Sequence, residues 1–286
     1  MNAQKLLGKP VADLLIQEAE QNISLLKEKT GETPRLANII VGQTNASLTY
    51  SQRLVKRCQE IQIQAETLSF PEQISTQNLV QAIHVLNHRK EIHAILLQHP
   101  FPNHIREQDV FEAIDPLKDV DGVSPTNFGK MALGSFCHYA STPKGILHLL
   151  KYYQIPLEGK EAVVLGRSVI LGKPMALLLL EENATVTICH SKTQNLPKVI
   201  ARADILVSAI GKAHFVQGNW LKDGAVVVDA GYTEGKGDVV FEAAELKASA
   251  ITPIPGGVGP VTIATLISQM VFALAWQREI TLLSKV

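Results

Sequence analysis

The sequence predicts an α/β fold in two parts, each built on a parallel sheet, and three observations carry that reading. Helical and strand periods alternate along the chain, the signature of strands joined by crossover helices rather than of a sandwich or a bundle. The strands of the second half are short, continuous apolar runs, as expected where both faces of a sheet are covered. A proline-punctuated stretch between Pro100 and Pro125 separates two such alternating series. With 286 residues, 46% of them hydrophobic and 19% charged, the chain can bury one large core or two ordinary ones.

In the first series, Val11, Leu14, Leu15, Ile23 and Leu26 are spaced for one face of a helix that stops near Thr30-Gly31. RLANIIVG (35–42) reads as a strand, 46–61 as a helix, and IQAETLSF (63–70) as a strand. Residues 75–90 read as a helix with Ser75 as N-cap, and HAILLQHP (93–100) as a strand. Pro100, Pro102, Pro116 and Pro125 then mark a long irregular region, where loops are expected to carry function rather than core. The second series opens at Ser141-Thr142-Pro143, read as a hydroxyl N-cap followed by proline at the first helical position of GILHLLKYY. Strand EAVVLG, helix GKPMALLLLEEN, strand TVTICH, helix NLPKVIARA and strands DILVSAIG and AVVVDAG follow. The last strong element, 260–279, is a long apolar helix able to pack on either half.

Composition narrows the function classes. Lys+Arg and Asp+Glu each number 27, so no excess positive charge exists to hold a polyphosphate backbone, and nucleic acid is not an expected partner. Unbroken apolar stretches such as residues 175–180 fall far short of the roughly 20 needed to span a bilayer, so no membrane helix is expected. Lys5 and Lys9 interrupt the apolar residues of the amino terminus, which reads as mature structure rather than an export signal. Cys58, Cys137 and Cys189 form no CxxC pair and argue against a disulfide framework or a zinc site; a cytoplasmic location is expected. His84 and His88, at helical spacing, read as a solvated face, and no metal is assigned.

Strand 161–165 runs directly into Gly166-Arg167-Ser168 and on to Gly172-Lys173-Pro174 and a helix. Glycines stand where a chain turns tightly and approaches a ligand, and a helix amino terminus offers free N–H groups to a pyrophosphate. Without the third glycine of GxGxxG the pattern alone is equally that of a plain strand–helix turn. In a dinucleotide fold the end of the second strand normally carries an acid for the ribose hydroxyls of NAD. Here it ends in Cys189-His190-Ser191-Lys192, with no carboxylate. Ser191, Lys192 and Arg167 can instead supply hydroxyl and cationic donors to a ribose phosphate, which favours NADP. His190 reads as a local donor rather than a catalyst.

Further clusters lie at residues 46–50 (ASLTY), 97–102 (LQHPFP), 118–122 (KDVDG) and 253–262 (PIPGGVGPVT). Together with GRSxxxGxP at 166–174 and DAG at 229–231, they resemble, in order and spacing and over nearly the whole chain, the bifunctional methylenetetrahydrofolate dehydrogenase/methenyltetrahydrofolate cyclohydrolase family. The resemblance implies an N-terminal three-layer α/β folate domain over 1–138, joined by the C-terminal helix 262–286, and a Rossmann-like NADP domain over 139–261. It also implies tetrahydrofolate derivatives as substrates, a cleft between the domains and a homodimer. Residue by residue, the folate-stacking tyrosine falls on Tyr50, the catalytic glutamine on Gln98 and the pterin-binding aspartate on Asp121. Pro100, Pro255, Gly256 and Gly257 fall at the substrate, and Gly166, Arg167, Ser168, Gly172, Pro174, His190, Ser191, Lys192 and Gly211 at the cofactor. A tyrosine ring can stack on the aromatic part of folate, an amide can hydrogen-bond a reacting group, and a carboxylate can accept two parallel hydrogen bonds from an amino-pyrimidinone edge. The bland reading of Asp121 is a loop-capping carboxylate, and that of 253–262 a rigid turn into the last helix.

The resemblance breaks at Leu54. The family places a lysine four residues after its tyrosine and implies it in proton transfer during cyclohydrolysis, whereas an aliphatic side chain has no proton to exchange. Lys56 sits about 600° around the helix from Tyr50 and points elsewhere. Arg53 lies nearer the right face, yet a guanidinium cannot act as a base. The expectation is a dehydrogenase with cyclohydrolase activity in doubt. The alternative is a catalytically silent paralogue that binds folate and NADP for a regulatory or structural role.

Overall fold

The computed structural model describes residues 2–42 and 45–283; the side chains of residues 45–47, 49 and 50 fall outside that description. In chain order the elements are β1 (Gln4–Lys5), α1 (Gly8–Thr30), β2 (Arg35–Val41), α2 (Asn45–Glu60), β3 (Gln64–Phe70), α3 (Thr76–His88), β4 (Ala94–Leu97), α4 (Glu107–Glu112) and α5 (Pro125–Ala132). They continue with α6 (Ser141–Tyr152), β5 (Glu161–Leu165), α7 (Gly172–Glu181), β6 (Thr185–Cys189), α8 (Leu196–Ile200), β7 (Ile205–Ser208), β8 (Val226–Asp229), α9 (Phe241–Glu245), β9 (Ala250–Ile251) and α10 (Val258–Gln277). The chain divides into two compact units: Leu15–Tyr139 with the residues from Leu266 onward, and Ala140–Thr265 with the residues up to Leu14. The first fourteen residues, expected in the amino-terminal domain, therefore join the other one. The cause is tertiary: β1 pairs in parallel with β9, Gln4 opposite Ala250.

In the first unit a three-stranded parallel sheet has the order β3-β2-β4. Alternation along β2 sends Ala37, Ile39 and Val41 to one face, where they meet Leu79, Ile83 and Leu86 of α3 and Ile95 and Leu97 of β4. Leu36, Asn38 and Ile40 take the opposite face, where Ser51 of α2 bonds to Asn38. As expected, α3 is capped by Ser75, whose hydroxyl accepts from the Asn78 N–H at 3.2 Å. Within α1 the buried residues follow the helical period through Val11, Leu15, Ala19, Ile23 and Leu26; Leu14, expected on that face, is exposed. The stretch expected to be irregular holds two short helices, α4 and α5. The second starts where Ser124 accepts from Asn127 N–H and Pro125 takes the first turn, a start signal that proline counting alone obscured.

The second unit carries a six-stranded parallel sheet in the order β1-β9-β8-β7-β5-β6. From β5 the chain goes to β6 on one side and then to β7 on the other. The strand order thus reverses at the carboxyl ends of β5 and β7, where open α/β sheets bind ligands. Val163, Leu165, Leu206, Val227 and Ile251 form the core beneath that edge. Helix α6 begins earlier than expected: Ala140, not a hydroxyl residue, is its N-cap, and Lys144 N–H makes the first helical bond, to the Ala140 carbonyl. Pro143 sits inside the first turn, where no N–H is required.

Helix α10 bears on the expectation of no membrane helix. It is long and apolar enough to cross a bilayer by length and composition, because Thr, Ser and Gln interrupt its apolar runs without making it polar. In the fold 67% of its most apolar window is buried inside the protein, as in the core helix of a soluble protein.

Candidate active site

In the first unit, β4 ends directly before Gln98, one of the residues expected to carry chemistry. Its backbone N–H continues the sheet, donating to the Ile39 carbonyl at 2.9 Å, and its side chain is nearly buried. Gln98 Nε2 donates to Asn38 Oδ1 at 2.8 Å, and Asn38 Nδ2 donates to Ser51 Oγ at 2.6 Å. Ser51 Oγ in turn lies 3.5 Å from Thr67 Oγ1. Strand β4 is thereby tied to β2, α2 and β3 through polar groups within an apolar layer. Asn38 was overlooked in the sequence; the available signal is an amide interrupting the otherwise apolar centre of Arg35–Val41.

Helix α2 presents Ser51, Leu54 and Cys58 as a buried stripe, with Leu54 fully covered. Cys58 Sγ reaches Met270 Sδ at 3.9 Å, and burial raises its thiol pKa to about 12, so it serves as packing. Arg53 and Lys56 are exposed, on other sides of the helix from Leu54. Tyr50 belongs to α2, but its side chain lies outside the described residues.

The KDVDG segment runs beside β4: Ile95 N–H donates to the Lys118 carbonyl at 2.7 Å. Lys118 is buried and its ammonium caps α3, donating to the carbonyls of Leu86, Asn87 and Arg89 at 3.1, 2.7 and 2.8 Å. Burial holds its pKa below the ordinary lysine value. Asp119, fully buried, accepts from the Val123 and Ser124 N–H groups at 3.1 and 2.8 Å and from Asn127 Nδ2 at 2.9 Å. Asp119 thus caps the loop that follows it. Asp121 itself is only half-buried, next to Gly122 at φ 58°. Pro100 follows a cis bond from His99 and is exposed.

In the second unit the phosphate loop sits at the switch point. Gly166 has φ 133°, and a β-carbon there would lie 2.5 Å from the Ala209 carbonyl oxygen just past β7; one on Gly172 would overlap the Gly166 carbonyl. Gly172 and Pro174 are buried as scaffold, whereas Arg167 and Ser168 are exposed. The first-turn N–H groups of α7 are not offered outward as expected. Ser168 Oγ accepts from Leu171 and Gly172, both at 3.2 Å, and its carbonyl accepts from Lys173 at 3.0 Å. The serine caps the helix, and the surface left for an anion is the loop ahead of it, still at the positive end of α7.

Ser191 and Lys192 are exposed beyond β6, and His190 organises their turn: its N–H donates to Thr193 Oγ1 at 2.9 Å, and its Nδ1 accepts from Lys192 N–H at 3.1 Å. Gly211, at φ 63°, lies in a loop held by the fully buried Asp238, which accepts from Ile210 N–H and Lys212 N–H, each at 2.7 Å, and from Ser208 Oγ at 3.0 Å. Asp229 accepts from Gly231, Asp238 and Val239 N–H groups; burial outweighs these bonds and raises its pKa to about 6. Asp229 opens the DAG motif of the sequence, whereas Asp238 stands in none of the motifs. Pro255 is exposed, Gly256 has φ 103°, and Gly257 is buried, with Gly8 N–H donating to the Gly256 carbonyl at 2.8 Å. Among the described residues no group of three or more His, Cys, Asp or Glu side chains could hold a metal ion.

A turn without room for β-carbons, at a sheet switch point and flanked by exposed Arg167, Ser191 and Lys192, fits a phosphorylated dinucleotide. Comparison with known proteins agrees. Residues 140–278 match the NAD(P)-binding domain of tetrahydrofolate dehydrogenase/cyclohydrolase, and residues 6–121 match its catalytic domain. The chain is 50% identical over 275 residues to a bifunctional protein FolD of Acidobacterium capsulatum, covering 96% of this chain and 98% of that one. It is 52% identical over 272 residues to that of Teredinibacter turnerae, covering 95% and 97%. The structure superposes with a TM-score of 0.92 on the Campylobacter jejuni FolD methylenetetrahydrofolate dehydrogenase/cyclohydrolase, at 40% identity and covering 96% and 99%. The Trypanosoma brucei enzyme, solved with NADP cofactor and an inhibitor, gives 0.92 at 32% identity, covering 97% and 99%. Sequence and fold together place the chain in the tetrahydrofolate dehydrogenase/cyclohydrolase family.

Proposed function

We propose that this chain is an NADP-dependent methylenetetrahydrofolate dehydrogenase whose cyclohydrolase activity is strongly impaired, working as a cytoplasmic homodimer. The observation that carries the reading is the complete burial of Leu54 on the Ser51–Cys58 stripe, while Gln98, Asp121 and the nucleotide loop are all retained.

Bound NADP supplies the hydride acceptor, so that the one-carbon bridge is oxidised by two electrons and a nitrogen lone pair becomes the second bond of the methenyl cation. The chain's own residues bind and orient. Asp121 accepts hydrogen bonds from the pterin edge, Tyr50 stacks, and Gln98 faces the reacting bridge; none of them has to move a proton. Cyclohydrolysis is different: water adds to the methenyl carbon, a C–N bond breaks, and the released nitrogen must gain a proton. Loss of a positioned acid/base commonly costs ~10²–10⁴ in such a step. Leu54 offers none, and the exposed Arg53 and Lys56 do not share its face.

The test is a spectrophotometric assay with methylenetetrahydrofolate and NADP, following NADPH and the methenyl absorbance together. NADPH formation with persisting methenyl product is expected. Absence of NADPH points to the silent paralogue, and NADPH without methenyl accumulation to an intact cyclohydrolase.

A further inference from the structure

We propose that Asn38 is a positioning residue for the oxidation, one that fixes which end of the Gln98 amide meets the substrate; the inference rests on the dehydrogenase reading above. A glutamine amide has two unlike ends of nearly the same shape, a carbonyl dipole and an NH₂ group. Rotation about its last bond exchanges them. In this chain the exchange is blocked from behind: Gln98 Nε2 donates to Asn38 Oδ1 at 2.8 Å. Asn38 is fully buried, and its own amide is oriented by Nδ2 donating to Ser51 Oγ at 2.6 Å and lying 3.4 Å from Thr67 Oγ1. Asn38 stands on the central strand, one residue before Ile39, whose carbonyl receives the Gln98 N–H. Backbone and side chain of Gln98 are thus both referenced to β2.

The consequence is electrostatic. Oxidation of the bridge creates a positive charge spread over N–C–N, and a carbonyl dipole aimed at it lowers the barrier whereas an N–H dipole raises it. With Nε2 committed to Asn38, the end of Gln98 turned away is Oε1. A fully buried amide is costly to maintain unless every polar atom is paired, and Ser51 and Gln98 between them supply the partners on both ends.

The experiment measures dehydrogenase kcat and folate KM, with NADP saturating, for Asn38→Leu, Asn38→Asp and Ser51→Ala, and for Asn38→Leu in a Gln98→Leu background. Asn38→Leu is expected to lower kcat about 10- to 100-fold with little change in KM, the usual scale for a misoriented contact. Asn38→Asp, which keeps an acceptor for Gln98 Nε2, recovers most of that loss, and Ser51→Ala falls between. In the Gln98→Leu background the Asn38→Leu effect vanishes, since the two act as one unit. Equal losses in both backgrounds, or a normal kcat accompanied only by a lower melting temperature, overturn the proposal. If Asn38→Leu does not fold, Ser51→Ala and Asn38→Asp still decide it: an unchanged kcat in the first or a loss of leucine-like size in the second counts against it. A wild-type chain that forms no NADPH instead removes the dehydrogenase reading beneath it.

Discussion

A β-carbon on Gly172 would overlap the carbonyl oxygen of Gly166 and lie 2.7 Å from the Arg167 amide nitrogen. The two glycines close the turn between β5 and α7 backbone against backbone, so neither the loop nor the helix start can shift independently. Gly172→Ala is therefore expected to open the loop. Overpacking of this kind costs about 1–3 kcal/mol, and NADP affinity measured by calorimetry should fall at least ~10-fold, a loss of about 1.4 kcal/mol. Unchanged affinity would mean that the loop does not form the cofactor surface.

Asp119 holds its loop through two backbone N–H groups and the Asn127 amide while fully buried. Asp119→Ala leaves those donors unpaired and should cost about 3 kcal/mol in urea denaturation, with folate affinity falling as Asp121, two residues on, loses its support. Asp121→Ala, by contrast, should reduce folate affinity and cost less stability than Asp119→Ala, because Asp121 is only half-buried. Similar stability losses in both variants would erase the division of labour between the two carboxylates.

Much of this architecture is legible in the sequence, for physical reasons that also explain the gaps. Strands β2, β4, β5, β7 and β8 are apolar runs because helices cover both sheet faces, and Ser75 announces α3 because a hydroxyl there satisfies an otherwise unpaired N–H. Strand β1 has no periodicity of its own and exists only through its pairing with β9, so the grouping of the first residues with the second unit is not legible in the sequence. Asn38 takes its role from Gln98, 60 residues further along the chain, and Asp119 from a loop whose closure its own residue type does not announce, so their types are visible but their roles are not. Gln98, Asp121 and Gly166 stand out because their local context repeats a family pattern; the groups that hold Gln98 in place do not.

Acid stability offers an independent check on the cores. Burial lowers the His148 pKa to about 4, so the native chain keeps this imidazole neutral where the unfolded chain binds a proton. The stability contributed is fully present above the unfolded value of 6.5 and is lost as pH falls through about 4. His93 behaves alike, its pKa also lowered to about 4 by burial. Asp229 has the opposite sign: its pKa is raised to about 6, so its contribution is full below 3.8 and is lost as pH rises through 6. His148→Gln removes one proton from the balance and leaves the others in place. The slope of unfolding free energy against pH should drop by about 1.4 kcal/mol per pH unit between about pH 4.5 and 6. An unchanged slope would mean that His148 is protonated in the native state.

The missing lysine is tested most directly by putting it back. Leu54→Lys introduces an ammonium into a fully buried position and should lower stability. It should also raise the rate of methenyltetrahydrofolate hydrolysis by roughly 10²-fold over the wild-type chain, the scale of one acid/base group, with NADPH formation changed far less. If the wild-type chain already hydrolyses methenyltetrahydrofolate as fast as it oxidises the methylene form, or if the lysine leaves hydrolysis where it was, the loss assigned to Leu54 is contradicted.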